Sequence, residues 1–423
     1  MLHIENESIK KHILDGNFGL EKESLRVLEN GKFAHTQHPF PEDHHIVKDF
    51  CENQTEINTS VHTGIRETVE ELEFHNQRIY EKLQSLSPKE YLWPFSNPPY
   101  IENEKDIPVA VFEGAYVSKT AYRDYLSDKY GRYKMAFSGI HVNFSFSEEL
   151  LRADYETEKR EVDYQTYKNS LYLDLAEKMA AYGWILVAVT AASPILDSSF
   201  VEKGIYNRDV FTGMASVRCS EMGYWNEFAP VFDYGSVEAY VDSIQKYVEQ
   251  GFLKAPSELY YPIRLKPRGE NNLDTLRKCG VDHIELRMFD LNPLAESGVE
   301  EKDIRFAQLL MIWLASLPAQ SLTQKDQIQA VQNFKNAAHY DLKTVKISNS
   351  GGENDSVAEA ALKVIDKMKI FYRNLDLPVQ EILDFENRKF EDAGNRYAWR
   401  IRELFQEGYV KKALELARER QEK

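Results

Sequence analysis

The sequence predicts an α+β fold built on a sheet with one apolar and one polar face. Two segments carry this. In Gly139–Phe146, the apolar Ile140, Val142, Phe144 and Phe146 alternate with Gly139, His141, Asn143 and Ser145. In His283–Phe289, Ile284, Leu286 and Met288 alternate with Glu285 and Arg287. Successive strand side chains point to opposite faces, so each segment packs one side on helices and turns the other to a ligand. A third observation is the spacing of the strands. Long helical stretches separate them in no strict strand–helix rhythm, which argues against a doubly wound parallel sheet.

The elements follow in chain order. Phe18–Val27 reads as a strand on which Glu21 and Glu23 share a face. Taken alone, that pair is better explained by a solvated edge strand with ordinary surface acids. Lys48–Glu56 reads as an irregular segment. Ile65–Leu86 is an amphipathic helix, with Ile65, Val69, Leu72, Ile79, Leu83 and Leu86 at steps of three, four or seven. Glu148–Tyr167 is expected as exposed loop or short irregular pieces. Lys168–Val189 and Glu300–Leu317 read as largely buried helices. Val345–Asp355 (VKISNSGGEND) is the candidate for a mobile surface loop. Ser356–Asn374 and Asn395–Arg420 read as helices with charged outer faces.

The totals narrow the function. The chain has 423 residues, 43% hydrophobic and 28% charged, the composition of a globular protein. Its net charge of −16 disfavours nucleic acid and anionic membranes as partners, since phosphate contact needs clustered Lys and Arg. Anionic substrates would therefore need a local island of metal ions and arginines. Cys51, Cys219 and Cys279 form no CxxC pair, which points to a reducing cytoplasm. The N-terminus has no hydrophobic signal core. Ala180–Leu196 falls short of a comfortable membrane span and carries Gly183, Thr190, Ser193 and Pro194, so it reads as a core helix.

Four distant segments hold the candidate chemistry. Glu21 and Glu23 repel unless a cation lies between them. Asp49, Glu52 and Glu56 offer carboxylate oxygens among polar spacers, the type hard cations prefer, although acidic loops of this kind are commonly only solvated. His141 and Asn143 occupy the polar face of an otherwise apolar strand. Glu285 and Arg287 read either as an ion pair or as a metal ligand beside a guanidinium that binds phosphate or carboxylate bidentately. Arg264, Lys266 and Arg268 form a basic cluster that fits nucleotide phosphates or a solvated turn. No GxxxxGK[ST], GxGxxG, HExxH or GxSxG motif is present. Carboxylates with one histidine and no motif-spaced cysteine point to Mg²⁺ or Mn²⁺ rather than zinc. An ATP-dependent ligase needs this set, because a carboxylate accepts an amine only after phosphorylation makes its oxygen a leaving group.

FGLEKESLRV, DFCENQTE, YLWPFSNPPYI, SGIHVNFSFS, SVRCSEMGY and GVDHIELRMFDLNP, in this order, resemble the bacterial glutamate–cysteine ligase family. The similarity runs from about residue 15 to about residue 320. The resemblance implies a glutamine-synthetase-like catalytic fold, an antiparallel sheet curved into a funnel with helices outside. It implies one catalytic domain over 1–423, with a helical C-terminal part from about 320. By position, Glu21, Glu23, Asp49, Glu56, His141 and Glu285 match metal ligands. Asn143, Arg218 and Arg287 match residues near the glutamate and its transferred phosphate. Tyr122, Tyr224 and Tyr260 match aromatic residues of the cysteine pocket, with Tyr261 adjoining in the next register. Met135 stands where some members place a polar contact to glutamate. The activity implied is ATP-dependent ligation of L-glutamate, through its γ-carboxylate, to L-cysteine. Members that also carry an ATP-grasp module are longer, so the dipeptide is the expected product. Another amine acceptor, or a non-enzymatic metal-binding role, are the alternatives the residues leave open.

Overall fold

The structure, a computed structural model, describes residues 1–114, 117–157, 161–348 and 354–423. Seven strands form the main sheet: β1 (Gly16–Leu28), β2 (Ile46–Lys48), β3 (Gln54–Asn58), β4 (Glu90–Leu92), β5 (Ile140–Phe146), β6 (Ile263–Lys266) and β7 (His283–Phe289). Their order is β2-β3-β1-β5-β7-β6, with β4 paired to the C-terminal end of β1. Every pairing is antiparallel. β1 is thus a central strand, bonded to β3 and β5, and the edge-strand reading of Glu21 and Glu23 is overturned. Glu56 also departs from expectation. It lies on β3, opposite Glu23, and not in an irregular stretch.

The alternation read from the sequence decides how the sheet packs. Phe18, Leu20, Ile57, Ile140, Val142, Phe144, Ile284 and Leu286 all enter one buried apolar cluster. Helices Ile65–Gln84, Tyr164–Tyr182 and Trp184–Thr190 cover that side. Lys22 is a charged exception there. Its ammonium donates to Asn76 Oδ1 at 2.8 Å, and burial pushes its pKa down to about 7.

Several helices end where tertiary contacts require it. Ile65–Gln84 and Glu301–Ser316 match expectation closely. The expected Lys168–Val189 helix is two helices that meet at Gly183. A Cβ there would sit 2.5 Å from Met179 O and 3.0 Å from the Phe334 ring, so Phe334 packs directly on the backbone. The expected Asn395–Arg420 helix is also two, Tyr397–Phe405 and Tyr409–Glu422. Gly408 turns the chain between them at φ 119°, and Asp209 accepts the N–H groups of Gly408 and Tyr409. Glu148–Thr157 is a helix rather than loop, because Leu150 and Leu151 bury in the core. Of the proposed loop Val345–Asp355, Lys346–Ser348 pairs with Asn354–Ser356, and 349–353 lie outside the described residues.

The last helix closes on the sheet. Arg420 donates to the carbonyls of Pro293 and Ala295, and Tyr409 packs edge-on against Trp93 and Phe95. Beneath it, fully buried Arg26 on β1 pairs with fully buried Glu90 on β4 at 2.6 Å. Its other hydrogen bonds go to Thr36 and the carbonyl of Glu52. Replacing Arg26 by Met leaves Glu90 as an unpaired buried carboxylate. We expect a loss of about 3–5 kcal/mol in urea unfolding, much of it recovered in Arg26→Met/Glu90→Gln. A loss below about 1 kcal/mol would show that water reaches the pair.

Candidate active site

The polar face of the sheet floors a cavity of about 540 Å³. Strand register builds the floor. Glu56 on β3 stands opposite Glu23 on β1, Glu21 stands opposite His141 on β5, and Glu285 on β7 stands between Asn143 and Arg264. Residues some 260 apart in sequence therefore meet. His141 Nδ1 lies 2.9 Å from Glu21 Oε2 and 3.8 Å from Glu285 Oε1, and its Nε2 lies 3.8 Å from Glu23 Oε1. Glu21, His141 and Glu285 each offer a ligand atom within 4.8 Å of the others. Glu285 is fully buried. Its Oε1 accepts from Arg287 at 3.1 Å and lies 3.2 Å from Lys266. Its Oε2 is buried with no hydrogen-bond partner among the described residues.

The acids divide electrically. Burial pushes Glu23 up to about 8, reinforced by Asp49. Glu56 is also held well above the ordinary carboxylate range, by burial and by Asp49, Glu21 and Glu23. Glu285 goes the other way. Burial opposes its charge, but Arg287, Lys266 and His141 outweigh that and hold it below the usual range. For Glu21, burial and Glu285 raise the pKa, and the hydrogen bond and charge of His141 turn the net shift downward. Burial, then Arg287, lowers His141, which favours neutral imidazole. Glu23 and Glu56 are thus biased toward the protonated acid, and Glu21 and Glu285 toward the carboxylate.

Cations ring the acids. Lys119, Arg123, Arg218, Arg264, Lys266 and Arg287 all line the cavity, an island in an acidic chain. Arg218 is fixed by backbone, donating to Arg287 O at 2.7 Å and Phe289 O at 3.4 Å. Gly139 makes room for it, since a Cβ there would lie 2.3 Å from the guanidinium. Arg264 and Lys266 are on β6 itself rather than in a turn, and Arg264 bonds the carbonyls of Ser257 and Leu259. Arg268 is not brought to the cavity. It follows the end of β6, exposed. Asn143 reaches the acids from the side, donating to Glu21 Oε1 at 3.0 Å. It lines a smaller cavity of about 170 Å³ that shares Glu21 and Asn58 with the first. Glu52 turns away, pairing with Lys48.

Aromatic side chains form one wall. Tyr224 and Tyr260 pack at 4.0 Å between ring centres, with Tyr122, Leu126 and Met135 beside them on the cavity. Tyr261 also touches the cavity but packs on Phe232 of the core. Met135 is buried, so an apolar group stands at that position. Two supporting residues escaped sequence analysis. Arg123 donates to Asp49 O at 2.9 Å. Glu258, fully buried, accepts from Tyr130 at 2.8 Å and Lys129 at 2.6 Å, while Asn226 ties Tyr130 to the backbone of Glu258 and Tyr260. Both are common charged residues in segments without periodic polar patterning, so no local signal marked them.

Comparison with known proteins decides the family. The pattern of the glutamate-cysteine ligase family matches residues 1–252 and 245–337. The chain belongs to this family. The glutathione biosynthesis bifunctional protein of Listeria monocytogenes serotype 4b (strain F2365) is 34% identical over 423 residues, covering 96% of this chain and 54% of the relative. The namesake from Clostridium perfringens (strain 13 / Type A) is 32% identical, covering 98% and 55%. The chain thus spans about half the length of the curated relatives it matches. Among solved structures, a bifunctional glutathione synthetase from Pasteurella multocida superposes with a TM-score of 0.85 at 26% identity, over 99% of this chain and 54% of the other. A glutamate–cysteine ligase from Francisella tularensis, solved with AMP, gives 0.83 at 24% identity over 96% and 88%, a likeness of fold. The α+β fold expected from the resemblance is the one these relatives share.

The elevated acids predict a trade of stability for function. Glu23 ordinarily titrates at 4.5 and in the fold at about 8. Between these values the unfolded chain is charged and the folded chain protonated, so folding loses stability as pH rises through the window. Glu23→Gln should therefore leave stability unchanged below pH 4.5. Its advantage should grow to at least about 1 kcal/mol at pH 8 in metal-free protein. Urea unfolding of both proteins at pH 4.5 and 8 checks this, and an equal or reversed difference at pH 8 refutes it.

Proposed function

We propose that this chain catalyses ATP-dependent ligation of L-glutamate, through its γ-carboxylate, to L-cysteine. The observation that carries the proposal is the cavity itself. A family member brings five carboxylates, one imidazole and six cations to one sheet face, beside a wall of tyrosines. Residues 1–423 act as one catalytic unit, in a reducing cytoplasm where Cys51, Cys219 and Cys279 stay free thiols. No helix among the described residues is long and apolar enough to cross a membrane.

The acids fit a hard divalent cation. Glu285 Oε2 is a buried orphan, Glu23 and Glu56 are protonated for want of compensation, and the donors are oxygens with one imidazole. Glu21, Glu23, Asp49, Glu56, His141 and Glu285 would hold Mg²⁺ or Mn²⁺, which neutralises nucleotide phosphates when bound. The chain's own residues do the rest. Arg287, kept charged by Glu285 and Glu21, and Arg218, held by β7 carbonyls, face the position where phosphoryl charge develops as the γ-carboxylate attacks ATP. Asn143 orients Glu21. Arg264 and Lys266 meet the remaining phosphate charge, a role Arg268, outside the cavity lining, does not share. The amine of cysteine then attacks the γ-glutamyl phosphate, and phosphate leaves.

ADP release measured with glutamate and a panel of amines tests the activity. Release that needs both glutamate and cysteine supports it, and release independent of the amine removes the ligase reading. Arg287→Lys keeps the charge and loses the planar fork. We expect kcat/KM to fall at least roughly tenfold, about 1.4 kcal/mol. Unchanged kinetics would reduce Arg287 to an ion-pair partner of Glu285.

The aromatic wall sets acceptor choice. A thiol is small and polarizable and suits Tyr224, Tyr260 and Tyr122. Serine has the same shape with a hydroxyl that an apolar wall leaves unsatisfied, a penalty of roughly 1–3 kcal/mol. α-Aminobutyrate should therefore react far better than serine, and Tyr224→Ala should narrow the gap. Equal turnover of serine and α-aminobutyrate by the wild type would exclude this pocket.

A further inference from the structure

We infer that His45, Glu71 and His75 form a second metal site, one for a transition metal, outside the cavity. Glu71 and His75 stand four residues apart on one face of helix Ile65–Gln84. His45, just before β2, packs against them across the loop. Each of the three offers a ligand atom within 4.8 Å of the others. None of them lines either cavity.

The surroundings hold these ligands as a metal site holds its own. The Asn58 carbonyl accepts from His45 Nδ1 at 2.8 Å and fixes the ring. Glu71 accepts from Ser60 N at 2.9 Å, Ser60 Oγ at 3.0 Å and His62 Nε2 at 2.5 Å, which orient the carboxylate. Such outer partners aim ligands at an ion. The two imidazoles lie 4.9 Å apart between ring centres. Their planes lie 20° from parallel, so His75 must turn as it releases Arg78 for both rings to aim a nitrogen at one ion.

One group opposes the ion. Arg78 donates to His75 Nδ1 at 3.0 Å, so His75 now carries its proton on Nε2, aimed at Glu71 Oε1 at 3.3 Å. Binding at Nε2 moves that proton to Nδ1, and Arg78 turns fully to Asp43, which it already pairs with. The site is consequently exchangeable rather than locked. Two imidazoles and a carboxylate select zinc-like ions, whereas the oxygen-rich cavity selects Mg²⁺. Because Asn58 also lines the cavity, an ion here pins the end of β3, the strand that carries Glu56. The inference does not depend on the reaction proposed above.

Two measurements test it. Anomalous diffraction from wild-type crystals soaked with Zn²⁺ should show a peak between His45, Glu71 and His75, and a peak absent there overturns the inference. In solution, Co²⁺ is titrated into the His141→Gln protein with excess Mg²⁺, the cavity having lost its imidazole. One equivalent should give visible d–d absorption. Adding Glu71→Gln or His45→Gln should weaken binding at least tenfold, and an unchanged titration in either overturns the site.

Discussion

Like charge held on one face of a buried sheet is the constraint on which the rest of this molecule depends. Five carboxylates reach one cavity, and in a medium poorer in water than bulk their repulsion is strong. The fold meets this in two ways. Around Glu285 it supplies permanent counter-charge, from Arg287 and Lys266. Around Glu23 and Glu56 it supplies too little, and protons remain. In the function proposed above, a divalent ion would displace those protons and complete the balance. A cavity neutralised internally would have no affinity to offer.

Holding such a face in place demands a stiff scaffold behind it. The apolar side of β1, β5 and β7 enters a continuous core under three helices. Gly183 and Gly408 break helices where that core and its second layer need close approach or a left-handed turn. The Arg26–Glu90 pair locks β4 to the far end of β1, below the helix that closes the chain. Four of the five acids, all but Asp49, are therefore placed by strands rather than loops, and strand register decides their spacing.

The aromatic wall rests on a different device. Glu258 has no place on the cavity surface, yet it gathers Lys129, Tyr130 and, through Asn226, the backbone of Tyr260. A buried carboxylate satisfied by one cation and several hydrogen bonds is rigid, and it transmits that rigidity to Tyr260 and Tyr224.

What the sequence determined alone was local. Period-two alternation placed His141, Asn143, Glu285 and Arg287 on polar faces, and six motifs in order named the family, because side-chain direction follows from the backbone of a single strand. The tertiary structure decided everything that depends on neighbours. It made β1 central, set Glu56 opposite Glu23 and Glu285 beside His141, left Arg268 outside, and sent Asn143 to the side of Glu21. It also broke two helices that read as continuous, and it recruited Arg123 and Glu258. Strand order, burial and the charge state of a buried acid are sums over partners distant in the chain, and no window of sequence contains them.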